Sequence, residues 1–235
     1  ARRCERLFER IQLGATVGGL RDTGSAVEAT IGDATHTFDR VLIAVGRRAL
    51  GDGLGLEATR ARLGANGVIA VDERCRTADS HILAVGDVTG DPMLAHRAMR
   101  QGKVAAEVVA GRPSAFDNVV VPAVVFTDPE VAWCGLTETA AQRDGRAVKV
   151  AKFQWAASGR AATLGRADGV TKLIVDPESG RVLGVGIAGP GAGELIAEAA
   201  LAVESALLVE DVAATIHTHP TLSETLMEAA ETLLR

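Results

Sequence analysis

The stretch from Val170 to Leu208 constrains the fold more than any other part of this 235-residue chain. Val170–Val175 and Val182–Ala188 are rich in β-branched residues. Asp176-Pro177-Glu178-Ser179-Gly180 between them carries the turn formers of a hairpin loop. Ala192 to Leu208 then reads as one long helix, with Leu195, Ile196, Leu201, Val203, Leu207 and Leu208 spread too widely for a single apolar stripe. A hairpin followed by such a helix predicts an antiparallel sheet with helices on one face, an α+β layer. The surplus apolar surface of the helix predicts a further interface, a two-fold one between copies of the chain.

Three regions follow from the punctuation. In residues 1–46, Arg10–Val17 and Ala26–Ile31 read as short strands and Val41–Val45 as a buried one, separated by Asp22-Thr23-Gly24-Ser25 and Gly32-Asp33. Three strands with no helix between them read as the tail end of a βαβ domain. The chain begins with Ala1, and Arg2-Arg3-Cys4-Glu5-Arg6 reads as the middle of a polar helix face, so it reads as cut from something longer. In residues 47–113, a Gly-rich loop (Gly51 to Gly55) leads to strands Val68–Val71 and His81–Val85. A helix Leu94–Ala110 follows, with Ala95, Ala98, Val104, Ala105 and Val108 facing the core, and Gly111-Arg112-Pro113 stops it. In residues 114–235, strands Val119–Phe126 and Val131–Cys134 flank the turn Thr127-Asp128-Pro129-Glu130. A short helix Thr137–Asp144 precedes the hairpin.

Composition excludes several classes of function. Net charge is −5 with no long Lys/Arg cluster, so nucleic acid is not expected as a partner. The longest apolar runs fall short of a membrane span and no signal sequence opens the chain, which leaves the cytoplasm as the expected compartment and no membrane partner. Cys4, Cys75 and Cys134 are scattered and read as small buried hydrophobes rather than a disulfide or metal set. The five histidines offer no metal-ligand spacing, so no metal site is expected.

Chemistry concentrates in His219-Pro220-Thr221-Leu222-Ser223-Glu224. Proline holds the preceding histidine out of the helical region. Thr221 with Glu224 three residues on reads as a capping box opening the last helix. A histidine at an element boundary beside a carboxylate also has the parts of a general acid/base and its orienting group. Both readings of Glu224 stand. His81-Ile-Leu-Ala-Val-Gly86-Asp87 would place Asp87 at the carboxyl edge of a sheet, where it can accept hydrogen bonds from sugar hydroxyls or merely start a turn. Met93-Leu94-Ala95-His96 begins a helix whose free N–H groups suit an electron-rich ring edge through the backbone, not through the His96 side chain. Gly184-Val-Gly186-Ile-Ala-Gly189 spells a dinucleotide fingerprint but follows a hairpin strand, so these glycines read as allowing a helix to pack closely on the sheet.

Taken in order, these motifs resemble the flavin-disulfide oxidoreductases. Ala44-Val-Gly46-Arg47-Arg48, Thr77, Ile82 to Asp87, and Met93 to Ala98 carry the general likeness. Pro122, Phe126 to Trp133, Gly135 to Glu138, Trp155 to Ala161, Gly189 to Glu194 and His217 to Glu224 are similar to the dihydrolipoyl dehydrogenase branch. The resemblance implies that residues 1–46 are the C-terminal remnant of an NAD-binding domain. Residues 47–113 would be the second segment of an FAD-binding domain, and residues 114–235 an interface domain that forms a homodimer. It implies FAD and NAD as cofactors of the intact parent, and dihydrolipoamide on a 2-oxo acid dehydrogenase complex as its substrate. It makes His219 the acid/base with Glu224 orienting it, and places Asp87 near the ribityl or pyrophosphate of FAD. Met93, Leu94, Ala95 and His96 would line the flavin, and Val17 and Gly46 would border NAD. The N-terminal FAD fingerprint, the redox C-x-x-x-x-C and the NAD-binding G-x-G-x-x-G are absent, so the chain alone is expected to be inactive. The alternatives are another flavin-disulfide reductase, such as glutathione or mercuric reductase, a soluble transhydrogenase, or a non-catalytic dimerisation module. Ser205-Ala206-Leu207-Leu208 departs from the glycine-containing turn common in relatives, so the end of the long helix is expected to differ.

Overall fold

Turn residues decide where the first strands fall. The structure, a computed structural model, describes residues 3–64 and 66–235, so Arg2 of the expected polar helix face lies outside it. The chain divides into two units, Ala1–Arg48 and Ala49–Arg235. In the first, α1 (Cys4–Leu7) precedes β1 (Val17–Asp22), β2 (Val27–Ile31) and β3 (Ala34–Phe38), an antiparallel sheet in that order. Asp22 Oδ1 accepts the Gly24 N–H at 2.7 Å and closes the first hairpin. Two expectations fail here. Arg10–Val17 contributes only Val17 to a strand, and Val41–Val45 is not a strand. Among the described residues no strand pairs with 41–45, and Leu42 and Val45 are 90% and 91% exposed. An apolar run shows that a segment wants burial, but a strand forms only where another backbone offers a ladder.

The second unit opens with irregular chain. Val68–Val71 and His81–Val85, expected as strands, form only single bridges, Leu63 to Ile69 and Arg76 to Leu83. Their backbone groups are taken up locally, as in Thr77 N–H to the Ile82 carbonyl and Ala84 N–H to the Cys75 carbonyl. Asp87 therefore lies not at the edge of a parallel sheet but in a 3₁₀ turn, Gly86–Thr89. Helix α2 (Ala95–Val109) packs Val104 and Val108 on Cys75, with Leu83, Val85, Ala105 and Phe116 around them, while Ala95 is exposed.

The remaining chain builds a five-stranded antiparallel sheet. Strands β4 (Ala123–Val125), β5 (Val131–Gly135), β6 (Lys149–Gln154), β7 (Val170–Val175) and β8 (Val182–Ala188) stand in the order β4-β5-β8-β7-β6. The hairpin strands begin and end as the sequence reading placed them. The Val119–Phe126 strand shrinks to Ala123–Val125. Alternate residues, Ala132, Cys134, Leu173, Val175, Val185 and Ile187, point to one face, which α5 (Ala192–Glu204), α6 (Val209–Ala214) and α7 (Glu224–Glu231) cover in one core. Fully burying a side chain such as Leu173 contributes about 1.5–3 kcal/mol. Two short helices complete the layer. α3 (Glu138–Arg143) is capped by Thr137 Oγ1, which accepts the Ala140 N–H at 3.1 Å, and α4 (Gly159–Thr163) by Ser158 Oγ. Glu130 ties the Asp128-Pro129 turn to the start of α5, its Oε2 accepting the Gly193 N–H at 2.9 Å.

The long helix ends at Glu204, four residues before the expected Leu208. Ala206 adopts φ 53, Leu207 N–H reaches back to the Ala202 carbonyl and Ala206 N–H to the Val203 carbonyl. This is a Schellman stop with alanine at the left-handed position where glycine is favoured. Burial along α5 is one-sided: Ile196, Ala199, Ala202 and Val203 are buried, and Leu201 is 63% exposed. The fingerprint glycines serve packing. A Cβ on Gly189 would lie 2.3 Å from the Trp155 ring, and one on Gly184 would lie 2.1 Å from the Leu136 carbonyl oxygen. The close neighbours are an indole and a neighbouring loop, rather than the helix that was expected.

Candidate functional site

Helix α6 ends at Ala214, and residues 215–223 form an irregular crossing before α7. Thr215 Oγ1 donates back to the Asp211 carbonyl, and Thr221 Oγ1 to the Thr218 carbonyl, so local side-chain bonds hold this segment in place of a helix. His219 precedes a cis proline. Its Nδ1 lies 2.8 Å from Glu224 Oε1, while Glu224 Oε2 accepts the Thr221 N–H at 2.7 Å. One carboxylate thus meets both readings at once, in a single rotamer, with one oxygen for each. The capping box itself is only half formed. Thr221 Oγ1 turns to Thr218 and Ser223, and α7 starts at Glu224 with Ser223 before it.

The chemistry of the pair follows from donors and acceptors. An ionised carboxylate only accepts, so His219 Nδ1 carries the proton that joins them. Nε2, on a ring that is 77% exposed, is then the atom able to take or give a proton. Glu224, at 19% exposure, is held below the ordinary carboxylate range, first by the Thr221 N–H, then by the hydrogen bond and charge of His219.

A second grouping lies where the Gly86–Thr89 turn meets α2. Buried Gln101 on α2 accepts the Gly86 N–H at 2.8 Å, locking the turn that bears exposed Asp87 to the helix. Met93 and Leu94 lead into α2, followed by Ala95 and His96. Leu94 has no side chain able to cap, and the first helical bond runs from Ala98 N–H to the Leu94 carbonyl. The backbone N–H groups of the first turn are therefore free of a side-chain cap, as an anionic or electron-rich ligand edge requires. The His96 side chain is engaged elsewhere, with Nε2 2.6 Å from the Pro122 carbonyl oxygen. Val17 and Gly46 belong to the first unit. Val17 opens β1 at 56% exposure, and Gly46 has φ 106 in irregular chain.

All three thiols are free, and two of them are buried. Burial pushes Cys134 up to about 11, and raises Cys75 with help from the Asp72 charge. Cys4, expected as buried, is half-exposed. Among the described residues no group of three or more His, Cys, Asp or Glu is placed to hold a metal ion, and no helix is long and apolar enough to cross a membrane.

Sequence reading missed one titratable pair altogether. His217 Nε2 lies 2.7 Å from Glu198 Oε1 on α5, with the histidine side chain only 5% exposed. The single local signal was a second histidine two residues before His219.

Comparison with known proteins supplies the family. Residues 7–102 match the pyridine nucleotide-disulphide oxidoreductase family and residues 121–230 its dimerisation domain. The chain is 46% identical to dihydrolipoyl dehydrogenase 3 of Haloarcula marismortui over 239 residues, covering 98% of this chain and 50% of the relative. It is 52% identical to the dihydrolipoyl dehydrogenase of Thermus scotoductus over 195 residues, covering 83% and 42%. Among solved structures, LpdA from Mycobacterium tuberculosis superposes with a TM-score of 0.86 at 31% identity, covering 93% of this chain and 48% of that one. The Escherichia coli flavoprotein disulfide reductase RclA gives 0.86 at 28% identity, covering 94% and 51%. The chain belongs to the pyridine nucleotide-disulphide oxidoreductases. It spans about half the length of the curated relatives it matches.

For a pyridine nucleotide-disulphide oxidoreductase the cofactors are FAD and NAD(H), and the residues present fit them unequally. The uncapped first turn of α2 and the neighbouring Asp87 suit part of a flavin. In the first unit, among the described residues, no strand leads directly into a helix, the arrangement that cradles a dinucleotide phosphate.

Proposed function

We propose that this chain is the C-terminal-side portion of a dihydrolipoyl dehydrogenase, which oxidises dihydrolipoamide on a 2-oxo acid dehydrogenase complex and passes the electrons to NAD. The observation that carries the reading is the single Glu224 rotamer, with one oxygen on His219 Nδ1 and the other on the Thr221 N–H. Residues 1–46 are read as the end of the NAD-binding domain, 47–113 as the second FAD-binding segment and 114–235 as the interface domain of a cytoplasmic homodimer. FAD, when bound, supplies the two-electron relay between the redox disulfide and NAD. His219 Nε2 takes the proton of a substrate thiol, so that the thiolate can attack a disulfide, and Glu224 stabilises the resulting imidazolium. Asp87 and the first turn of α2 bind and orient the cofactor through a carboxylate and backbone N–H groups. Val17 and Gly46 flank the nicotinamide nucleotide. By itself the chain is read as an inactive dimerising module.

In the complete dehydrogenase, His219→Ala lowers turnover with dihydrolipoamide by about 10²–10⁴-fold, the usual contribution of a general base, with flavin content unchanged. Near-normal turnover in that variant removes His219 from the reaction.

A further inference from the structure

His217 is buried between two groups that can only accept a hydrogen bond. Its Nδ1 lies 2.9 Å from the Thr215 carbonyl oxygen and its Nε2 lies 2.7 Å from Glu198 Oε1. A neutral imidazole has one N–H and would set a ring lone pair against one of these oxygens. Either the ring carries two protons, or Glu198 carries one. Glu198 keeps 40% of its side chain exposed, where water solvates an ionised carboxylate, so the proton belongs on the ring.

We propose that His217 is held as an imidazolium and acts as a positioning residue, clamping the crossing segment to α5 so that His219 stays against Glu224. The charges around it agree. Burial works against protonation, but the Thr215 carbonyl, the bond and charge of Glu198 from α5, and the charge of Glu224 from α7 together outweigh it and raise the ring above its ordinary value. Glu224 in turn is kept ionised in part by His217, so the clamp and the His219 pair support each other. His217 stands two residues before His219, close enough for its anchorage to set where that ring begins.

The catalytic consequence rests on the acid/base reading of His219, whereas the protonation state and the positioning do not. The test is therefore made without substrate, by long-range ¹H–¹⁵N correlation of the histidine rings in the labelled chain. The buried Trp155 Nε1–H resonance serves as the check of folding. His217 is expected to show two protonated nitrogens at about pH 7, above the ordinary imidazole midpoint. Neutral His219 is expected as the Nδ1–H tautomer, and both Glu198→Gln and His217→Ala are expected to cut that tautomer ratio at least about twofold as the clamp is lost. Glu198→Gln keeps the His217 ring in place and so covers the case in which His217→Ala disturbs the fold. A deprotonated His217 nitrogen in the parent chain at about pH 7 overturns the imidazolium. An unchanged His219 ratio in Glu198→Gln overturns the positioning role.

Discussion

Replacing Thr171 by valine cuts a buried chain of hydrogen bonds that runs from the sheet to the start of α7. Trp155, with no exposed surface, donates Nε1–H to Thr171 Oγ1 at 3.0 Å. Thr171 and Thr225 hydroxyls lie 2.8 Å apart, and Thr225 donates to the Leu222 carbonyl at 2.7 Å. Each hydroxyl has one proton, so the Leu222 bond fixes every direction: Trp155 to Thr171, Thr171 to Thr225, Thr225 to Leu222. Valine keeps the shape and removes the acceptor. The stranded indole N–H costs about 1–3 kcal/mol, and the lost bond to Thr225 about 0.5–1.5 kcal/mol. The added methyl returns part of this, which leaves a net destabilisation of about 2–3 kcal/mol. Thr225→Val strands no buried N–H, so it should cost less, about 1–2 kcal/mol. The two should be non-additive by about 0.5–1 kcal/mol because they share a bond. Urea unfolding followed by tryptophan fluorescence measures all three variants. A Thr171→Val chain within about 0.5 kcal/mol of the parent, or strictly additive variants, would refute the directed chain.

Four other outcomes are expected. Ala206→Gly should stabilise the chain by about 0.5–1 kcal/mol by relieving the left-handed backbone at the stop of α5, net of the added unfolded-state entropy; a loss of stability in thermal unfolding contradicts the Schellman assignment. The depressed Glu224 carboxyl contributes stability that is complete above about pH 4.3 and is lost as pH falls through its lower folded value, so Glu224→Gln should flatten the acid limb of an unfolding titration. The raised His217 ring acts with opposite sign: its contribution is complete below about pH 6.5 and fades as pH rises through the folded value, so His217→Gln should flatten the alkaline limb. Finally, the chain should sediment as a dimer at micromolar concentration, because Leu201 and Ile216 stand 63% and 96% exposed; a clean monomer at 24.3 kDa ends that reading.

Local chemistry was legible where a signal and its cause lie within a few residues. The β7–β8 hairpin begins and ends as read because β-branched runs and a Pro/Ser/Gly loop act over neighbouring positions. Helix α2 fell within one residue at each end for the same reason, and the nearness of His219 to Glu224 was visible because both flank one turn. Val41–Val45 and His81–Val85 failed because apolar character says only that a segment wants cover, and strand pairing depends on a backbone elsewhere. β6, edge strand of the main sheet, carried no clear alternation and exists through its pairing with β7. The early stop of α5 rests on a left-handed alanine that no propensity favours, held by capping bonds and by the packing of Leu207 on the core. Glu198 reaches His217 across nineteen residues, and Thr171 reaches Thr225 across fifty-four. Such contacts arise only when α5, α7 and β7 are brought to one core, and a buried polar atom then takes whichever partner the packing leaves within reach.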